Sequence, residues 1–349
     1  MQGFFLGRRS TPFIVPRRSS FQYVLDVAFS TLLALAPTVA QAAGLRDVVI
    51  PAGANQLRIV AELWTPCTSP PRAMIIDRDG FPTAIRGVRN CAVTQKNLPL
   101  IIISHGMFED RFSHHDTAEA VADAGFAVVA LNHTQDSSDN IHDKSAADIS
   151  SFLLRPVDIK RVIDFFLVSP PTGLKIDPRR IGFFGFSRGG YTGLVLAGAE
   201  PDFDTLIIPC PENLLMCQQI KEHKVPAHAP GYEPRIKAYV IADPVNLFAS
   251  KSSLQNVRAP LQLWSSDFGG MGVRPEDVSA VRINLPIKPE FHRATGAGHL
   301  SFDCPCLEDQ VKASPPSVVC TDPPGFDRTD FHRKFNAIVV DFFRRKLPK

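Results

Sequence analysis

Ser187 stands in the pentapeptide Gly185-Phe186-Ser187-Arg188-Gly189, with Gly190 directly after it. Glycine two places to either side is what a serine needs in a sharp strand-to-helix turn, where the backbone is strained and larger neighbours would clash. The flanks fit that turn: Ile181-Gly182-Phe183-Phe184 reads as a strand, and residues 191–199 as a helix rich in small side chains. Such a turn lifts Ser187 Oγ to the mouth of a sheet. It also aims the Arg188 N–H into the same space, beside a helix N-terminus where negative charge is stabilised. The chemistry this would support is attack on a carbonyl carbon, which requires a general base and a carboxylate to orient that base.

Both partners are expected later in the chain, in the order Ser, Asp, His. His299 closes the segment Thr295-Gly296-Ala297-Gly298-His299, and of the ten histidines it alone lies in a glycine-flanked loop beyond the last strands. Two aspartates compete for the acid. Asp267 falls just past the apolar run at 261–265, and Asp243 ends the run Ala238-Tyr239-Val240-Ile241-Ala242. The spacing favours Asp267, with Asp243 as the alternate, and strand-end aspartates also cap turns. Asp303 follows His299 too closely to orient it. A second N–H donor for an oxyanion is expected from Met107 in Ser104-His105-Gly106-Met107, beside that of Arg188. Asn132-His133 reads as a turn near the pocket.

These residues need a scaffold, and the chain supplies an alternating one. Residues 46–52 and 57–65 read as short strands and 68–96 as a loop. Residues 98–104 (LPLIIIS) are a continuous apolar run of the kind buried on both faces of a parallel sheet. Helix at 115–124, strand at 126–131, helix at 158–168, strand at 180–185, helix at 191–199, strands at 236–242 and 261–265, and an amphipathic helix at 330–347 complete the series. Repeated β-α alternation predicts an α/β fold, a mostly parallel central sheet with helices on both faces. Insertions at about 68–96, 201–235 and 268–289 interrupt a single predicted domain, 43–349.

The 349 residues carry 38 basic and 35 acidic side chains, a formal charge of +3, with 44 % apolar and 21 % charged residues. That composition excludes a disordered chain, and no basic stripe interleaved with aromatics points to nucleic acid. The excess charge is local. Residues 1–42 hold Arg8, Arg9, Arg17 and Arg18 against the single acid Asp26, so removing them leaves 34 basic and 34 acidic side chains. After these arginines come a short apolar stretch, 27–36, and Ala40-Gln41-Ala42, a small-x-small cleavage site. That order predicts a secretory signal peptide at 1–42 and a periplasmic or secreted protein. The apolar stretch is shorter than the roughly 18 residues of a membrane span. The arginine pairs leave the Sec or twin-arginine route open, and nothing in the sequence sets the oligomeric state.

Seven cysteines suit an oxidising compartment. Local pairing predicts Cys67–Cys91, Cys210–Cys217, and Cys320 with Cys304 or Cys306, leaving one thiol over. Cys304-Pro305-Cys306 lacks the second pair that a cysteine zinc site would need.

The segments RDVVIPAG, LIIISHG, VVALNHT, LRPVDIKRVIDFF, GFSRGGYT and GAGHLSF resemble those of α/β-hydrolases over nearly all of the chain past the leader. They are most similar to the dienelactone-hydrolase-like and platelet-activating-factor-acetylhydrolase-like groups. The resemblance implies Ser187 as nucleophile, His299 as base, Met107 and Arg188 as backbone oxyanion donors, and no metal or organic cofactor. Dienelactone hydrolase itself uses a cysteine nucleophile, so its activity does not carry over. The acetylhydrolase group places its acid after the sixth strand, which would favour Asp243. The expected function is an exported serine esterase acting on a small-molecule ester or lipid. The alternatives are a lipase or phospholipid deacylase, and a non-catalytic binding protein on the same fold.

Overall fold

The computed structural model describes residues 42–78, 81–93, 95–140, 148–203, 215–226, 231–248, 250–315 and 317–349. The predicted leader lies, save its last residue, outside these. Ten strands form the sheet: β1 (Ala42–Ile50), β2 (Ile59–Cys67), β3 (Arg72–Arg78), β4 (Phe81–Arg89), β5 (Leu98–Ser104), β6 (Ala127–Leu131), β7 (Ile176–Phe186), β8 (Ile236–Ala242), β9 (Leu261–Ser266) and β10 (Glu290–Ala294). Their order is β10-β9-β8-β7-β5-β6-β2-β1-β4-β3. From β10 across to β6 every pairing is parallel, while β2 runs antiparallel to both β6 and β1.

The helices are α1 (His115–Asp123), α2 (Ser150–Val168), α3 (Arg188–Leu196), α4 (Leu215–Lys221), α5 (Lys251–Leu254), α6 (Pro275–Asn284), α7 (Glu308–Val311) and α8 (Arg328–Lys346). The alternation of side chains along a strand divides the core between the two faces of the sheet. Leu100 and Ile102 of β5 join a cluster with α2, α3 and α6, through Val162, Leu194 and Val278. Ile101 and Ile103 point the other way, into a cluster with Val121 of α1 and Phe335, Val339 and Phe342 of α8. The run 98–104 is buried throughout because both faces are covered. No helix among the described residues is long and apolar enough to cross a membrane.

The span 68–96, expected as a loop, holds the antiparallel hairpin β3–β4 in the register Arg78↔Phe81. Its edge strand β3 is largely exposed, so no apolar run betrays it. Asp79-Gly80, a two-residue hairpin signal, lies between the two strands in sequence. The insertion at 268–289 carries α6, and α2 begins eight residues before the predicted start, with Pro156 inside it.

Two disulfides join Cys67 to Cys91 and Cys306 to Cys320, while Cys304 is a buried free thiol. Cys217 is disulfide-bonded, and its expected partner Cys210 lies outside the described residues. The Cys67–Cys91 bridge links the end of β2 to the segment just after β4, and β1 lies between those strands. Gly44 of β1 passes beneath it: a Cβ there would stand 2.8 Å from Cys91 Cβ and 3.5 Å from Cys67 Cβ.

Candidate active site

The site is assembled at the ends of the parallel strands β5, β7, β8 and β9, where open α/β sheets place their ligands. Ser187 lies between β7 and α3 at φ 55° and ψ −114°, a conformation that costs a non-glycine residue about 1–3 kcal/mol. The surroundings hold it there. Ser187 N–H donates to Ala242 O at 3.0 Å, and Ser187 O accepts from Tyr191 and Val245 N–H, both at 3.1 Å. The glycines are a packing necessity. A Cβ on Gly185 would lie 2.2 Å from Gly189 O, and one on Gly189 would lie 1.9 Å from Ser104 O.

His299 reaches Ser187 from the loop after β10, with Nε2 2.9 Å from Ser187 Oγ. Its Nδ1 lies 2.8 Å from Asp243 Oδ2. The ring packs 4.7 Å from that of Phe186, and the backbone is anchored by His299 N–H donating to Gly269 O at 2.8 Å. Asp243 is fully buried at the end of β8. Its Oδ1 accepts from Ser266 N–H at 2.8 Å, and its Oδ2 from Ser266 Oγ at 2.7 Å as well as from the imidazole. Both carboxylate oxygens are thus engaged, and Nδ1 is fixed as the protonated nitrogen, leaving the Nε2 lone pair toward Ser187.

The sequence expectation favoured Asp267, but the structure sets Asp243 against His299. Asp267 instead pairs with Arg293 and accepts from Gly296 N–H at 2.7 Å, holding the base of the loop that carries His299. The reason is strand order. β8 lies directly beside β7, so its end faces Ser187, whereas β9 is one strand farther out.

Met107 and Arg188 lie on one buried network that spacing did not reveal. Arg155 of α2 donates to His105 O and to Gly106 O, each at 2.7 Å, and through Nε to Asp136 at 2.9 Å. Arg188 donates to the same Asp136 oxygen at 2.9 Å, touches Met107 Sδ at 2.8 Å, and stacks over Phe152 at 4.5 Å. Burial opposes the charge on Asp136, but Arg155 and Arg188 outweigh it and hold the carboxyl at about 2. Because the peptide is planar, fixing Gly106 O on Arg155 fixes the Met107 N–H in the opposite direction. No motif flags Arg155 or Asp136; the one clue is an arginine set among Phe152, Leu153, Leu154 and Pro156 in the first turns of α2.

A second Ser-His-Asp line runs close behind. Ser104 Oγ is 2.9 Å from His133 Nε2, and His133 Nδ1 is 3.3 Å from Asp158 Oδ2. Ser104 is wholly buried, and Arg155 also approaches its Oγ at 3.4 Å, so this line braces the loop from within. The expected turn at Asn132-His133 thus carries part of the support.

No protein-family model and no curated protein matches the chain. Solved structures do, and with the strand order and the turn at Ser187 they establish that the chain has the α/β-hydrolase fold. It is similar to a ferulic acid esterase from Streptomyces cinnamoneus, with a TM-score of 0.59, 17 % identity, and 90 % of this chain and 92 % of that one covered. It is also similar to a dienelactone hydrolase from Anabaena variabilis, with a TM-score of 0.50, 13 % identity, and coverage of 88 % and 99 %.

Proposed function

We propose that the protein is an exported serine hydrolase that cleaves carboxylic esters, with Ser187 as nucleophile, His299 as base and Asp243 as the acid. The observation that carries this reading is the unbroken hydrogen-bonded line from Ser187 Oγ through the imidazole to Asp243. His299 Nε2 takes the hydroxyl proton as Oγ attacks the ester carbonyl. The N–H groups of Met107 and Arg188 receive the oxyanion, and His299 returns the proton to the departing alcohol. Water, deprotonated by His299, then releases the acid from Ser187.

The loop beside His299 supports an apolar substrate portion. Phe268 and Met271 are 66 % and 59 % exposed there, which also favours a lipase or phospholipid deacylase as the second reading. The name of the Streptomyces neighbour adds an aromatic-acid ester to the panel worth assaying. Export is supported by the disulfides and by the leader-like composition of residues 1–42. Protein recovered from outside the cytoplasm should begin at Ala43, as intact mass would show.

The decisive experiment pairs p-nitrophenyl ester turnover with labelling by an organophosphorus fluoride. The expected result is one adduct on Ser187, and loss of turnover and adduct together in a folded Ser187→Ala variant. A protein that takes no label and turns over no ester would be a binding protein on this fold.

A further inference from the structure

We propose that Glu109, His114 and Asp303 bind one divalent transition-metal cation, for which zinc is the best match to the donor set. The three side chains come from the loop after β5, the residue before α1, and the residue that ends the short 3₁₀ turn His299–Phe302. Their ligand atoms all lie within 4.8 Å of one another.

The argument rests on acceptors facing acceptors. His114 Nδ1 lies 3.2 Å from Phe302 O, an oxygen that can only accept, so Nδ1 carries the proton. In the neutral ring Nε2 then presents a lone pair, and it lies 3.4 Å from Glu109 Oε2. It has no hydrogen-bond partner, and neither does Asp303 Oδ1; the two residues are 1 % and 7 % exposed. Carboxylate oxygens of Glu109 and Asp303 lie within 4.8 Å of each other and of the imidazole. Three lone-pair donors converging in this way, two of them buried and Glu109 partly so, need a cation or protons between them.

Nearby positive charge does not fill that need. Arg155 directs its N–H groups to Asp136 and to the carbonyls of His105 and Gly106. Arg328 directs its own to Asp322 and Val319 O.

The arrangement has the form of a metal centre. An imidazole that gives its far N–H to a backbone carbonyl is the usual way a metal-bound histidine is oriented. Zinc bound at about 2.0–2.1 Å places tetrahedral neighbours about 3.3 Å apart, which the His114–Glu109 separation matches. One nitrogen and two carboxylates suit zinc better than calcium, which takes six to eight oxygens. The ion would be structural. Glu109 Oε2 also accepts from Gly106 N–H at 2.8 Å, so the ion would tie the Met107 loop to the segment behind His299. The site does not depend on the esterase reading.

The test uses untagged full-chain protein purified with its disulfides formed, treated with a chelator, dialysed, and titrated calorimetrically with zinc chloride, with manganese and calcium chloride in parallel. The expected result is uptake of one equivalent of zinc with a rise in Tm. Asp303→Asn and Glu109→Gln should each weaken it by about a hundredfold or more while the circular dichroism spectrum is kept. His223→Gln, at an exposed histidine, should leave it unchanged. Absence of stoichiometric uptake by the folded protein overturns the proposal, as does uptake that survives Asp303→Asn; shared protons then balance the cluster.

Discussion

Replacing Asp243 by Asn tests the proposed mechanism at its least redundant point. The carboxylate accepts on both oxygens, from Ser266 N–H and Ser266 Oγ and from His299 Nδ1. An amide keeps one accepting atom and turns the other into a donor. With Ser266 N–H fixed as a donor to Oδ1, the new NH₂ falls on Oδ2 and faces His299. The imidazole must then accept at Nδ1 and carry its proton on Nε2, directed at Ser187 Oγ, where it cannot take the hydroxyl proton. Wrong-tautomer substitutions of this kind cost about 10⁴-fold in kcat, or about 5 kcal/mol of transition-state stabilisation. Asp267→Asn is the matched control. It retains an acceptor for Gly296 N–H and loses an ion pair to an exposed Arg293, worth about 1 kcal/mol or less. Its kcat/KM on p-nitrophenyl butyrate should fall less than about fivefold. Both variants would be assayed at one pH after circular dichroism has shown them folded. A crippled Asp267→Asn beside a near-native Asp243→Asn would refute the reasoning.

Three further outcomes follow from the packing. Burial raises Glu62 from its ordinary value to about 8 against the pull of Arg89. The folded state therefore binds the extra proton between about pH 4.5 and 8; the stability this gives is complete below that window and is lost as pH rises through it. Denaturant melts should show Glu62→Gln gaining on the wild type from pH 5 to 8, and parallel curves would remove the assignment. Replacing Cys67 and Cys91 together by Ser opens a loop with a sequence separation of 24 and should cost about 3 kcal/mol, read as a lower denaturation midpoint. Finally, Phe268→Ala with Met271→Ser should raise KM for long-chain esters severalfold while acetate esters change little. An equal effect on both chain lengths would place these side chains outside the acyl path.

How far the sequence carries depends on which interactions are local. The turn at Ser187 was legible because its strain is answered within five residues, by glycines whose Cβ positions other backbone already occupies. The buried strand at 98–104 was legible because both of its faces are covered. Which aspartate meets His299 was not, since Asp243 and Asp267 each follow a strand end, and only the order of β7, β8 and β9 decides between them. Likeness to the acetylhydrolase group was the one sequence-level argument on the side of Asp243. Arg155 and Asp136 were missed for a similar reason, because their value lies in one carboxylate shared by guanidiniums from two helices. The β3–β4 hairpin escaped because its edge strand has little to bury.

The bridge over Gly44 couples disulfide closure to the seating of β1. In the native sheet Cys67 and Cys91 join across β1, so a bridge closed early leaves that strand to slide in beneath it, whereas a bridge closed late locks it in place. Blocking free thiols at intervals during refolding, beside the far-ultraviolet signal of the sheet, would show which order the chain takes. The same strap makes the two chain ends unequal as attachment points. A fusion ahead of Ala43 has to leave beside a covalent crossbar, whereas one placed after Lys349 follows α8.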